Sequence, residues 1–97
     1  MRDYDTLRDI KNNYIITMYE VKTFDIPALD GISQESIDLH LGLYAGYVKH
    51  VNYIHTELAN VSDGYAKAEM QRRLGFEFGG MKNHEYYFAQ LESGSAA

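Results

Sequence analysis

Two histidines, His40 and His84, are the residues of this chain whose type and position best suit metal chemistry. Each falls within a long helical pattern, at a position where the apolar stripe of its helix would otherwise carry a hydrophobic residue. If the two stripes pack together, the two imidazoles meet at one place, and neutral imidazole is a common ligand of transition metals. The alternative is that each histidine is a core or interface residue, hydrogen-bonded to a tyrosine or a backbone carbonyl.

The elements that must position these histidines are two helices joined by a short connector. The first helix is predicted to begin after Ser33, a favourable N-cap, and to end at a connector formed by residues 60–64. Ser62 or Asp63 is expected to cap the second helix. So short a connector predicts antiparallel neighbours, and therefore an all-α helical hairpin. Because both histidines lie 22 residues from position 62, the hairpin is expected to hold them at the same level.

Each predicted helix has a seam, meaning a line of apolar positions spaced three and four residues apart. The seam of the first helix comprises Ile37, His40, Tyr44, Tyr47, Val51, Ile54 and Leu58. The seam of the second comprises Met70, Leu74, Phe78, Met81, His84 (or Glu85), Phe88 and Leu91. Gly75, Gly79 and Gly80 interrupt the second helix at roughly 1 kcal/mol each relative to alanine, which predicts close approach of another backbone or the wall of a site.

The residues before the hairpin carry weaker signals. Residues 1–17 are a polar leader of uncertain structure, for which a short helix over residues 4–10 is the expectation. Residues 18–29 include Pro27 and are predicted to form an extended arm lying on the helices. The aromatic residues of the arm and helices cannot all fit between two helices, so we expect a partner: another copy, a missing second domain, or both.

Composition excludes several classes of function. The net charge is −5 with scattered Lys and Arg, which argues against nucleic acid or an anionic membrane as partner. The chain contains no cysteine, which excludes disulfides, thiolate metal sites and cysteine nucleophiles. No apolar run approaches about 20 residues, so a cytoplasmic location is expected. His50 and His55 lie off the seam and are expected at the surface or in an interface.

Several segments, in this order, resemble the amino-terminal domain of iron/manganese superoxide dismutases. They are residues 24–29 (FDIPAL), 32–33 (IS), 36–40 (SIDLH), 46–49 (GYVK) with Asn52, and 79–88 (GGMKNHEYYF). The last segment is similar to the family's G-G-x-x-N-H-x-x-[FY]-[FW] pattern. The resemblance covers about residues 18–94, and it divides the chain into the leader 1–17 and a superoxide dismutase N-terminal-like hairpin, 18–95.

The resemblance implies a function and a site. His40 would be the first metal ligand and His84 the second, holding one manganese or iron ion per completed site. Superoxide would be the substrate, and Tyr47 would be the tyrosine of the substrate gateway. Gly80 falls where manganese-type members tend to have glycine and iron-type members glutamine, which favours manganese.

The chain departs from the family pattern in four places. Tyr47 comes seven residues after His40 instead of eight, and Tyr44 takes the place of a histidine, so both tyrosines are candidates to face the metal. Loss of a one-residue helical bulge would return Tyr47 to the ligand face. Phe88 replaces the usual tryptophan, and the leader has no counterpart. The family's third and fourth ligands, an aspartate and a histidine, belong to a carboxy-terminal α/β domain that this sequence does not reach.

Three hypotheses follow. In the first, the chain is the metal-binding half of a superoxide dismutase that needs a C-terminal half or a second chain, and is inactive or weakly active alone. In the second, it is a homodimer in which two hairpins form four helices and a four-histidine site for zinc, copper or iron, without dismutase activity. In the third, it is a helical interaction module that has lost the chemistry.

Overall fold

The computed structural model describes residues 4–9 and 14–94, with side chains from residue 18 onward. Four elements follow one another along the chain: β1 (Tyr4–Asp9), β2 (Tyr14–Tyr19), α1 (Gln34–Leu58) and α2 (Gly64–Glu92). The chain is mostly helical, and the predicted hairpin of two helices is confirmed. Its completion to a four-helix arrangement stays a prediction.

Side-chain caps fix where the two helices begin. The hydroxyl of Ser33 accepts a hydrogen bond from the backbone N–H of Ser36 at 3.1 Å, as the sequence predicted. Of the two residues considered for the second helix, Asp63 is the N-cap, and its carboxylate accepts from the N–H of Ala66 at 2.8 Å. The connector is therefore only five residues long, from position 59 to position 63, which makes the helices neighbours.

Polar residues recur along both helices. Within the described residues, no helix combines the length and the apolar character needed to cross a membrane.

The amino-terminal leader contains strand structure. β1 and β2 pair antiparallel with Tyr4 opposite Tyr19 and Asp9 opposite Tyr14. The short helix expected over residues 4–10 is therefore wrong over Tyr4–Asp9, and position 10 lies outside the described residues, as does position 95. The physical reason is the YIITMY sequence of β2, whose β-branched and aromatic residues favour a strand and give β1 a partner to pair with.

The arm lies on the helices in the extended form that the sequence predicted. No helix or strand is formed between residues 20 and 28, and Leu29 and Ile32 form a bridge around a turn in which Gly31 has φ of 84°. Only glycine adopts this left-handed backbone without strain. The side chain of Asn52, on α1, holds the start of the arm through its backbone. Its amide oxygen accepts a hydrogen bond from the N–H of Tyr19 at 2.7 Å, and its amide nitrogen donates to the carbonyl of Tyr19 at 2.8 Å.

The core lies between the two helices and under the arm. Its largest fully buried side chains are those of Tyr44, Val51, Met81 and Phe88. The ring of Phe24, from the arm, lies 5.1 Å from that of Phe88 between centroids. The arm therefore covers one side of the hairpin and leaves the other side open.

The buried faces of the two helices differ from the predicted seams. Val48, Glu77 and Glu85 are buried although they were not assigned to a seam, except for Glu85 as the alternative to His84. The seam residues that are only half-buried are His40, Tyr47, Leu58, Met70, Leu74, Phe78 and His84. Helical periodicity identifies the stripe that meets the neighbouring helix, but it does not reveal on which side a third segment packs.

Candidate metal centre

The two helices bring His40 and His84 together at one level of the hairpin. Their ring centroids are 5.9 Å apart with an angle of 38° between the ring planes. Both side chains are half-buried, on the side of the hairpin that the arm leaves open. The prediction that the two imidazoles meet is confirmed as a matter of geometry.

Each imidazole is oriented by its own helix. Nδ1 of His40 lies 2.8 Å from the carbonyl oxygen of Ser36, and Nδ1 of His84 lies 2.7 Å from that of Gly80. A carbonyl oxygen can only accept, so each Nδ1 carries the proton and donates it. With Nδ1 as the donor, Nε2 is the nitrogen that would bind a metal ion, the arrangement in which a backbone carbonyl fixes the tautomer of a metal-binding histidine.

A cavity of about 270 Å³ lies against the histidine pair. His40, Asn83, His84 and Tyr87 line it. Asn83 and Tyr87 were not identified as site residues from the sequence. The signal available for Tyr87 was its position three residues after His84, which places both side chains on one face of α2.

Tyr47 packs beside His84, with 5.3 Å between ring centroids. The absence of a side chain at Gly80 makes room for it, because an ideal Cβ built there would lie 2.6 Å from Cδ1 and Cζ of Tyr47. The sequence predicted that the glycines of α2 allow close approach of a backbone or form the wall of a site, and Gly80 does adjoin a close neighbour, the ring of Tyr47. At Gly75 and Gly79 that expectation is wrong, since a Cβ at either would meet nothing within 4 Å.

Tyr44 lies on the arm side of the hairpin. It is fully buried, and its hydroxyl donates to Glu85 at 2.8 Å and accepts from the backbone N–H of Lys22 at 3.0 Å. Of the two tyrosines left open by the sequence, Tyr47 is the one in ring contact with a site histidine. The role of either in catalysis stays a prediction.

The neighbouring carboxylates pair with basic side chains, although Oε2 of Glu77 is buried without a hydrogen-bond partner among the described residues. Glu85 pairs with Lys22 and Lys82 at 3.6 and 3.3 Å, and Glu77 with Arg73 and His50 at 3.1 and 3.2 Å. Across the part of the chain described with side chains, no group of three or more His, Cys, Asp or Glu residues could hold a metal ion. Any further ligand of these kinds would have to come from outside the described residues.

The two remaining histidines lie apart from the pair, as expected. His50 is exposed and bonded to Glu77. His55 is half-buried against the ring of Tyr19, with 6.1 Å between centroids, and burial lowers the pKa of His55 below its ordinary value.

Apolar side chains flank the histidine pair on the open side. We call this surface the histidine face; it comprises His40, Leu43, Tyr47, Phe76, Gly80, Asn83, His84 and Tyr87. Leu43 and Phe76 are 51% and 55% exposed, and the rings of Tyr47 and Phe76 lie 6.3 Å apart. Exposed apolar side chains clustered beside a half-buried polar pair are typical of a surface that another molecule covers.

Comparison with known proteins gives no relative to set beside this geometry. No family model matches the chain, and no curated protein or solved structure matches it.

Proposed function

We propose that this chain is the metal-binding half of an iron- or manganese-type superoxide dismutase, completed by a C-terminal α/β half or a second chain. The observation that carries the proposal is the histidine pair, with 5.9 Å between ring centroids and each Nδ1 bonded to a carbonyl of its own helix. Together these features set two imidazoles with the same backbone hydrogen bond side by side at one level of the hairpin. The motif resemblance around His40 and His84 adds the family.

The donor set fits a first-row transition metal but does not complete its coordination. His40 and His84 would hold the ion through Nε2, and iron and manganese usually take at least one carboxylate in addition. Since no third His, Cys, Asp or Glu side chain joins the pair among residues 18–94, a partner would supply the remaining ligands. A bound ion would supply the one-electron chemistry that converts two superoxide anions and two protons into oxygen and hydrogen peroxide.

The residues of this chain would orient the site and control access to it. The carbonyls of Ser36 and Gly80 hold the imidazole tautomers, which keeps Nε2 directed away from each helix's own backbone. Tyr47 stands beside His84 on the histidine face, where a phenol can bind solvent or substrate. Gly80 supports this position because any larger residue would displace the Tyr47 ring.

The exposed apolar residues favour a second candidate function, that of a homodimeric helical metal-binding or interaction module without dismutase activity. Large apolar side chains more than half exposed in the described part of the chain are Val21, Leu39, Leu43, Tyr53, Tyr65, Phe76 and Tyr86. Leu43 and Phe76 belong to the histidine face, so a second copy docking there would bring two histidine pairs together. Such a site could bind zinc, copper or iron.

Metal content and native mass, measured on the same sample, test both candidates. Protein purified without chelator or affinity tag is analysed for iron, manganese, zinc and copper, and its superoxide-consuming activity is assayed. About one iron or manganese per chain, lost in His40→Ala and in His84→Ala but retained in His55→Gln, supports the dismutase half. About one ion per two chains in a dimer supports the shared site. A folded oligomer that contains no metal contradicts both the dismutase half and the shared metal site. A helical interaction module without metal is then the remaining candidate.

A further inference from the structure

Tyr87 occupies a position in the candidate metal centre that the dismutase resemblance does not assign. It is half-buried on α2, one turn beyond His84, and its ring lies 5.6 Å from that of His40 between centroids. Packing against Phe88, with 5.7 Å between centroids, supports the ring from behind. Tyr87 also lines the 270 Å³ cavity beside the two histidines.

The cavity contains one side chain that can become an anionic oxygen ligand. His40 and His84 offer neutral nitrogens and Asn83 a neutral amide, whereas a phenol becomes an anionic oxygen donor when it loses its proton. Hard trivalent ions favour anionic oxygen, and no carboxylate joins the histidines among residues 18–94. We propose that Tyr87 is a phenolate ligand to iron(III) held by His40 and His84. This proposal rests on the proposed function, because it uses the same histidine pair.

The other tyrosines near the pair are distinguished by their surroundings. Tyr47 contacts His84 but lines the adjoining groove with Leu43 and Phe76, not the cavity. The hydroxyl of Tyr44 is already bonded to Glu85 on the arm side. Tyr87 is therefore the tyrosine that lines the same cavity as both imidazoles.

The coordination step is balanced without any redox partner. An iron–oxygen bond forms to the phenol oxygen, the O–H bond breaks, and the proton leaves to the buffer while iron remains iron(III). The bond has a signature that histidine ligation lacks, a phenolate-to-iron charge-transfer absorption in the visible region. That signature makes the ligand directly observable, independent of any enzymatic activity.

The test is an absorption titration of the metal-free full chain with ferric citrate, with bound iron measured in parallel. The wild-type chain is expected to develop the visible band in proportion to bound iron. Tyr87→Phe is expected to lose the band and to bind iron at least ~10-fold more weakly, while its far-ultraviolet circular dichroism stays that of the wild type. Tyr47→Phe is the matched control and is expected to keep the band.

Each other outcome overturns the proposal in a recognisable way. A band that survives in Tyr87→Phe, or that disappears only in Tyr47→Phe, shows that Tyr87 is not the ligand. Iron bound through the histidines with no visible band refutes the tyrosine ligand while leaving the proposed function in place. Failure to bind iron, in a chain that also lacks zinc or manganese binding, refutes the proposed function as well.

Discussion

Replacing Gly80 by alanine separates two opposing effects that the structure allows to be calculated. In a helix interior, alanine is favoured over glycine by about 0.8–1.0 kcal/mol. At Gly80 the new Cβ would lie 2.6 Å from Cδ1 and Cζ of Tyr47, whereas carbon atoms in contact are normally about 3.5–4.0 Å apart. Relieving an overlap of roughly 1 Å requires movement of a packed ring and typically costs about 1–3 kcal/mol. The net expectation is a loss of roughly 0–2 kcal/mol.

Gly75 provides the matched control on the same helix. It is exposed, and a Cβ there meets nothing within 4 Å, so Gly75→Ala is expected to gain the full 0.8–1.0 kcal/mol or so. The two variants should therefore differ by about 1–3 kcal/mol in free energy of unfolding. Urea denaturation measures this difference, and thermal unfolding should show it as roughly 4–8 °C per kcal/mol for a chain of this size.

A double-mutant cycle tests whether the Tyr47 ring is the cause. In a Tyr47→Ala background the overlap is gone, so Gly80→Ala should become stabilising by about 1 kcal/mol. Equal stabilisation by Gly80→Ala and Gly75→Ala in the otherwise wild-type chain would refute the reasoning. It would mean that the ring of Tyr47 does not rest against Gly80, and the placement of Tyr47 beside His84 would fall with it.

Three further substitutions test the arm and the helix packing. Tyr44→Phe should lower the free energy of unfolding by about 1–3 kcal/mol, because buried Glu85 loses a hydrogen-bond donor. Asn52→Ala should cost about 1–3 kcal/mol by breaking both bonds to the backbone of Tyr19, and should speed hydrogen exchange at that amide. Burial lowers the pKa of His55, so the unfolded chain binds the proton more readily and stability should fall as pH falls below about 6.5; His55→Gln should flatten that fall.

Each of these expectations has an outcome that contradicts it. Tyr65, which is 85% exposed, is the control for Tyr44→Phe. Equal losses of unfolding free energy in Tyr65→Phe and Tyr44→Phe would show that the buried hydroxyl of Tyr44 does not stabilise the fold. Unchanged exchange at Tyr19 in Asn52→Ala would show that the arm is held by packing alone. A His55→Gln variant whose stability falls with pH as steeply as the wild type would assign that fall to other groups.

The sequence predicted the features that depend on helical periodicity and on the short connector. The shared level of His40 and His84 follows from those two properties and is confirmed. The same logic works for any antiparallel helix pair, because the connector sets the register and the register pairs the residues. The caps follow from the preference of short polar side chains for the N-cap position: Ser33 is confirmed, and of the two candidates for the second helix the structure selects Asp63.

The sequence did not predict which side of the hairpin the arm covers. The arm packs Phe24 against Tyr44 and Phe88 and brings Lys22 to the buried carboxylate of Glu85, whereas His84 is only half-buried. Nothing in the helical pattern distinguishes the two sides of the hairpin. The position of Tyr87 beside the histidine pair was not predicted either, because an aromatic residue on a helix is equally suited to packing and to a site.

The arm also has a consequence for the order of events during synthesis. Tyr19 can reach Asn52 once the first helix has formed, but Phe24 packs on Phe88, and the backbone N–H of Asp25 donates to Glu92. Asp25 and Glu92 are 67 residues apart along the chain. The arm leaves the ribosome before either helix, yet the residues on which it finally packs are complete only after the end of the second helix has emerged. Until then its apolar residues are exposed to solvent, which is the interval in which a chaperone would recognise this chain.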